Sequence, residues 1–353
     1  MQAQTACHDP ATGEFIGVSS LNRREEVGEL VNQARLAQPS WAALPVRQRV
    51  RVIRRVRDYI ARHADELAAI IAANTGKTVT DAMATEVLPA AMAASYYAEQ
   101  APRLLRDRPL RASSPIISHK SSKVRRVPLG VVGIISPRNY PFAIPFSEVV
   151  MGLLSGNAVI LKGATQTQLV SRALERCLKA EGMPRGVFGY VNLPGPAAGD
   201  ALLHAGVDKI FFTGSTAVGR ELAIRAAQTL TPVSLRLGGN DAMLVCPDAD
   251  LDRASSGAVW AGMQNCGQSS GGVERIYVHR DVHQLFINLV AEKVRQLRVG
   301  GEDGPYDVDL GAMLSREQVE LVRGQIRDAL DRGAVIYGES ECPDGVNGTY
   351  FPA

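Results

Sequence analysis

From Val27 onward, apolar residues recur every three to four positions: Val27, Leu30, Val31 and Ala34, then Val46, Val50, Ile53, Val56 and Ile60. That period keeps one face of a helix apolar, so amphipathic helices are predicted there, with another carrying Leu67, Ile70 and Ile71. The last of these should stop at Asn74-Thr75-Gly76, where glycine takes the left-handed conformation that ends a helix. Beyond Pro128 the pattern changes to short β-branched runs, Val131 to Ile135, Ala158 to Leu161, Val187 to Val191 and Lys209 to Phe212, separated by longer helical stretches. Such alternation predicts an α/β fold: a parallel sheet with helical crossovers. Ligands of open sheets bind outside the carboxyl ends of the strands, which singles out Asn139, Lys162, Gly195 and Gly214. The mixed pattern continues through Val233-Ser234-Leu235, a helix from Leu251 to Met263, a strand from Arg275 to Val278 and a helix from His283 to Leu297. Gly348 to Ala353 reads as the start of a strand.

Between about Leu105 and Arg126 the helical pattern lapses, and Arg106, Arg108, Arg111, Lys120, Lys123, Arg125 and Arg126 gather around Ser113-Ser114-Pro115. No aromatic side chains are interleaved for bases to stack on, so a solvated or subunit-contacting hairpin is expected rather than a nucleic-acid groove. The whole chain agrees: 39 basic against 36 acidic residues leave a formal charge of +3, too little to make nucleic acid or an anionic membrane the expected partner. With 353 residues, 46% of them apolar, the chain is globular and long enough for about two domains. Cys7, Cys177, Cys246, Cys266 and Cys342 are odd in number and never spaced as CxxC, which indicates neither a disulfide framework nor a zinc site and fits a reducing compartment. No segment is apolar enough to span a membrane and no leader pattern opens the chain, so a cytoplasmic location is expected.

Several local patterns could carry chemistry. Gly76-Lys77-Thr78 looks like the end of a phosphate-binding loop, but Ile71 stands where that loop needs glycine, so a helix cap is expected. Lys209 to Thr213 runs into Gly214-Ser215-Thr216-Ala217-Val218-Gly219, a strand, a turn and a helix start whose free amides and positive dipole end suit a pyrophosphate. Gly267-Gln268-Ser269-Ser270-Gly271 matches the G-x-S-x-G elbow of serine hydrolases with Ser269 at its centre. That elbow needs a strand before it and a helix after, and the order expected here is the reverse. His279 and His283 are four apart like metal ligands, but Asp281 reads as a helix cap and no third ligand is evident, so no metal site is expected.

Taken in order, Ile134-Ile135-Ser136-Pro137-Arg138-Asn139-Tyr140-Pro141, Ala158 to Lys162, Phe212 to Thr216, Leu237-Gly238-Gly239 and Asn265 to Ser270 with Glu274-Arg275 resemble the aldehyde dehydrogenase superfamily. The resemblance runs from Asp9-Pro10-Ala11-Thr12-Gly13-Glu14 to the last residue. It implies a Rossmann-like NAD(P)-binding domain over about residues 1–235, with an oligomerisation hairpin near 105–127, and a partial α/β catalytic domain over 236–353. It implies binding of NAD or NADP through Ser136, Lys162, Thr165, Gly195, Thr213, Gly214, Ser215, Gly219, Leu237 and Gly238. The family oxidises a small aldehyde: a cysteine thiolate adds to the carbonyl, an asparagine amide holds the oxyanion, and a glutamate activates the hydrolytic water. The subunits are expected to form a homo-oligomer.

The oxyanion asparagine is Asn139, preceded by Arg138 where the family usually has tryptophan. Thr165 replaces the glutamate that would repel a 2′-phosphate, which leaves NAD and NADP equally plausible. The position of the family cysteine is Ser270, with Cys266 the nearest sulfur a few residues earlier, and that of the family glutamate is Arg236. A serine without a base is a poor nucleophile, and arginine cannot accept a proton near neutral pH. Family members also continue past the point matching Phe351-Pro352-Ala353, so the chain reads as truncated and lacking the Glu-x-Phe-Gly-Pro segment that contacts the nicotinamide ribose. An inactive or impaired enzyme is expected; the alternatives are a noncatalytic oligomer partner that keeps the fold, or a serine hydrolase using Ser269 or Ser270.

Overall fold

In the computed structural model, which describes residues 3–111, 113–301, 307–343 and 348–353, the chain opens with an antiparallel hairpin of β1 (Gln4–His8) and β2 (Phe15–Ser20). The predicted helices follow as α1 (Arg24–Ala43), α2 (Val46–Arg62) and α3 (Ala64–Thr75). Gly76 ends α3 with φ +79°, as the cap reading requires. A short α4 (Val79–Ala82) passes through a π turn, Met83–Val87, into α5 (Leu88–Leu104). The basic segment then forms a hairpin, β3 (Arg108–Leu110) with β4 (Ser122–Val124), all six residues exposed. Asp107 carries part of its charge, accepting from Lys123 at 2.8 Å and Arg125 at 3.4 Å.

The alternating half is built as β5 (Val131–Ile135), α6 (Ala143–Leu154), β6 (Ala158–Lys162), α7 (Gln168–Ala180), β7 (Phe188–Val191), α8 (Gly195–His204), β8 (Lys209–Thr213), α9 (Thr216–Gln228) and β9 (Val233–Arg236). Every residue of β5 and β6 is buried, as expected of parallel strands covered on both faces. Successive side chains leave opposite faces of a strand. Thus Val131 and Ile135 join α1, α8 and α9 through Val27, Leu202 and Leu222, whereas Val132 and Ile134 join α2, α5, α6 and α7 through Ile53, Ala94, Phe146 and Leu174. The strand order is β7-β6-β5-β8-β9. The chain winds outward from β5 in one direction through β7, then returns to place β8 on the other side of β5, so the loops after β5 and β8 part at a topological switch point.

A smaller parallel pair, β10 (Asp241–Val245) and β11 (Val273–Val278), is joined by α10 (Leu251–Met263) and packs on α11 (His283–Arg295) through Val245, Ala258 and Phe286. The helix α12 (Arg316–Asp331) follows. Two expectations are corrected. Residues 348–353 form no strand, because their backbone groups are taken singly by separate segments: Thr349 N–H donates to Pro10, Met313 N–H to Thr349, and Ser340 N–H to Ala353. The cap of α11 is Val282 rather than Asp281, whose own amide donates to His279 Nδ1 at 3.4 Å.

Candidate functional site

The loops that part at the switch point enclose a cleft of about 330 Å³ lined by Ser136, Lys162, Thr165, Gly195, Thr213, Gly214 and Ser215. Ser136 ends its strand by donating its amide to the Lys162 carbonyl at 3.1 Å. Lys162 is 5% exposed, and burial lowers its ammonium to about 8; no acidic side chain among the described residues pairs with it. Ser215 caps α9 by accepting from the Val218 amide at 3.4 Å, which leaves the positive end of the helix on the cleft. The corner admits no Cβ on Gly214, which would stand 2.6 Å from the Phe212 ring. Gly219 follows in the first turn of α9 and is not among the residues lining this cleft. A Cβ there would stand 2.5 Å from Leu237 Cδ2, so its bareness lets α9 lie close to Leu237. Thr165 opens a 3₁₀ turn on one wall, and α9 contributes Glu221 and Arg225, the latter paired with Asp200 at 2.7 Å.

A second cleft of about 730 Å³ shares Pro137, Arg138, Thr213, Gly214 and Ser215 with the first, so the two are continuous. It brings together Asn139, Ser270 and Arg236, the residues singled out for chemistry, with Leu237 and Gly238 beside them. The Asn139 amide donates to the Gln268 carbonyl at 2.9 Å, and Asn265 Nδ2 donates to the carbonyls of both Asn139 and Gln268 at 3.1 Å. These bonds tie the loop after β5 to the loop after α10 and use one N–H of the Asn139 amide. Ser270 is exposed on the cleft, whose lining contains no histidine and no carboxylate. Arg236 ends β9, where its carbonyl accepts from Gly214 N–H at 3.0 Å. Behind the wall, Thr213 donates to Glu148 Oε1 at 3.0 Å; burial pushes the Glu148 carboxyl up, Thr213 and Arg236 draw it down, and its Oε2 has no partner.

Cys266 does not stand in for a nucleophile. After α10 the chain makes a tight turn in which Asn265, Cys266 and Gly267 all have φ between +53° and +71°. This points the Cys266 thiol away from the cleft to the Gly311 carbonyl (3.2 Å), and burial pushes it up to about 12. The hydrolase pattern lacks its framework: α10 and a 3₁₀ turn precede Ser269, and β11 follows. His279 turns onto Asp281 (Nδ1–Oδ2 3.6 Å), apart from both clefts.

Sequence reasoning missed the support beneath Asn139. Lys77 and Glu86, both with fully buried side chains, form an ion pair at 2.7 Å. Lys77 Nζ also donates to the Asn139 carbonyl at 3.0 Å and lies 4.6 Å from the centre of the Tyr140 ring, while Glu86 Oε2 accepts from the amides of Phe142 and Ala143 at 2.8 Å each. Glu86 lies in the π turn, a distortion that neither period nor propensity announces.

The family model of aldehyde dehydrogenases matches residues 1–353. A Mycolicibacterium smegmatis protein named a putative NADP(+) succinate-semialdehyde dehydrogenase is 37% identical over 336 residues, covering 94% of this chain and 64% of its own length. An aldehyde dehydrogenase structure from Brucella melitensis biovar abortus superposes with a TM-score of 0.92 at 32% identity, covering 98% of this chain and 71% of that one. The NAD+ complex of a Bacillus cereus aldehyde dehydrogenase superposes at 0.90 with 28% identity, covering 98% and 70%. The chain thus spans a little under two thirds of the curated relative it matches. A parallel five-stranded sheet with its switch point, two joined clefts and a family match over every residue lead to one conclusion: this chain belongs to the aldehyde dehydrogenase family.

Proposed function

We propose that this chain binds NAD or NADP in the first cleft and admits a small aldehyde to the second, but does not oxidise it. The observation that carries the second half is the wall formed by Asn139, Ser270 and Arg236, which holds neither thiol nor carboxylate. The first cleft fits a dinucleotide: a buried ammonium at Lys162 with no acidic partner among the described residues, a helix N-terminus at Gly214-Ser215, and open space at Gly195, where a Cβ would meet nothing within 4 Å. When bound, the dinucleotide supplies a hydride acceptor. Lys162 would take a ribose hydroxyl and the α9 amides a phosphate. Thr165 puts no carboxylate against a 2′-phosphate, which supports NADP beside NAD, and the Mycolicibacterium relative carries NADP in its name.

On the chemical side, the free N–H of Asn139 can hold a carbonyl oxygen. The Ser270 hydroxyl has no base to take its proton, and Arg236 cannot accept one from water. We read residues 1–235 as the nucleotide domain and 236–353 as part of the catalytic domain. The scattered cysteines, never spaced as CxxC, support a reducing, cytoplasmic setting, and among the described residues no helix is long and apolar enough to cross a membrane. A second reading, a noncatalytic partner in a homo-oligomer, is favoured by the basic hairpin, which leaves Leu110 and Val124 exposed with Val127 just after it.

The test is absorbance at 340 nm after the chain is mixed with NADP or NAD and a short aliphatic aldehyde. The expected result is no rise above the protein-free control. Steady reduction would overturn the proposal, and its loss or survival in Ser270→Ala would tell whether Ser270 or another residue carries the chemistry.

A further inference from the structure

The second cleft carries a charge that a neutral aldehyde does not use. Its lining includes the guanidiniums of Arg138 and Arg236, the amides of Asn139 and Gln268 and the Ser270 hydroxyl, and no carboxylate. The two arginines are not equivalent. Arg138 donates to Gln318 Oε1 at 2.5 Å, and its charge is felt by Glu317 in the first turn of α12. Arg236 has no hydrogen bond or ion pair from its side chain to any described residue. The carboxyl whose field it reaches, Glu148, lies outside the cleft lining; its Oε1 accepts from Thr213, and its Oε2 receives no hydrogen bond from Arg236.

We propose that this cleft is a carboxylate site, in which a small organic acid is held by the free fork of Arg236 beside Asn139 and Ser270. The inference rests on the reading of this cleft as the substrate cleft and names the ligand it prefers. An aldehyde offers one neutral acceptor, whereas a carboxylate offers two oxygens and a full charge, which matches a planar guanidinium bidentately. Arg138 adds charge to the cleft, but its guanidinium is tied to Gln318, so the open planar fork is that of Arg236, whose two parallel N–H groups match the flat pair of oxygens of a carboxylate.

The test is calorimetric titration of the full chain with butyrate and with its neutral counterpart butyramide, with NADP titrated into the same preparation. Butyrate is expected to bind at least about tenfold more tightly than butyramide. Arg236→Gln should abolish that preference, Arg236→Lys should retain part of it, and Lys123→Gln on the distant hairpin should leave it intact. Equal binding of the two ligands, a preference that survives Arg236→Gln, or displacement of butyrate by equimolar sulfate would each overturn the proposal. Because NADP occupies the first cleft, its binding alongside a failed butyrate titration rejects the carboxylate site alone. Absence of both rejects the underlying reading of the clefts as well.

Discussion

Replacing either member of the Lys77–Glu86 pair should destabilise the chain more than any surface charge could. Both side chains are fully buried and 2.7 Å apart. Lys77→Met leaves the Glu86 carboxylate with the amides of Phe142 and Ala143 and no cation; Glu86→Gln leaves the ammonium with the Asn139 carbonyl and the Tyr140 ring. Breaking a buried pair from one side costs about 3–5 kcal/mol, because the survivor stays buried and uncompensated. Removing both charges spares that penalty, so the double variant should cost less than the sum of the singles by about 2 kcal/mol or more. Urea unfolding followed by tryptophan fluorescence reads this directly. Trp41 is buried and donates to the Leu153 carbonyl on α6, the helix whose first amides Glu86 holds, whereas Trp260 is 66% exposed and changes little on unfolding. Single variants that each cost under about 1 kcal/mol and add in the double would refute the argument and make the pair incidental to the Asn139 loop.

Two further outcomes are expected. Lys162 has a folded-state value of about 8 against 10.5 unperturbed, so it binds fewer protons folded than unfolded between those values. Its unfavourable contribution to stability is therefore full below pH 8 and relieved as pH rises toward 10.5. Dinucleotide affinity that uses the ammonium should fall as pH rises through 8 in wild type and be weak and flat in Lys162→Met; a flat wild-type profile in calorimetry would exclude the ammonium from binding. Ser270→Cys should place a thiol beside Arg236 that reacts with Ellman's reagent faster than the buried Cys7 and Cys177, and adding Arg236→Glu should slow it about tenfold by raising the thiol's pKa. Equal rates with and without Arg236→Glu would show that the guanidinium does not reach position 270.

Much of the fold was legible because period survives folding. Val50, Ile53, Val56 and Ile60 lie on one buried face of α2, and the β-branched runs at Val131 and Ala158 became strands buried at every residue. The second cleft's wall was legible in outline because Asn139, the strand-end Arg236 and Ser270, distant in sequence, line one cleft in the structure and belong to motifs already grouped by their order along the chain. The turn from Asn265 to Gly267 was not legible. Left-handed backbone suits an asparagine but not the Cys266 that follows it, and two such residues in a row are held by long-range bonds, Asn265 N–H to Asp81 and the Cys266 thiol to Gly311. Lys77 was hidden for a related reason: a lysine after a helix-ending glycine reads as solvated, and only tertiary packing brings Glu86 and the Asn139 carbonyl to it. The closing residues misled because an apolar aromatic run suggests a strand, while their backbone partners are scattered along the chain.

The measurement closest to the central claim is calorimetric titration of NAD and NADP into the full chain. Lys162, the Gly214-Ser215 corner and Thr165 together predict weak binding of both, with little preference between them, and weaker still in Lys162→Met. A strong preference for NAD over NADP would contradict the role given to Thr165, and no binding of either would contradict the account of the switch-point cleft itself.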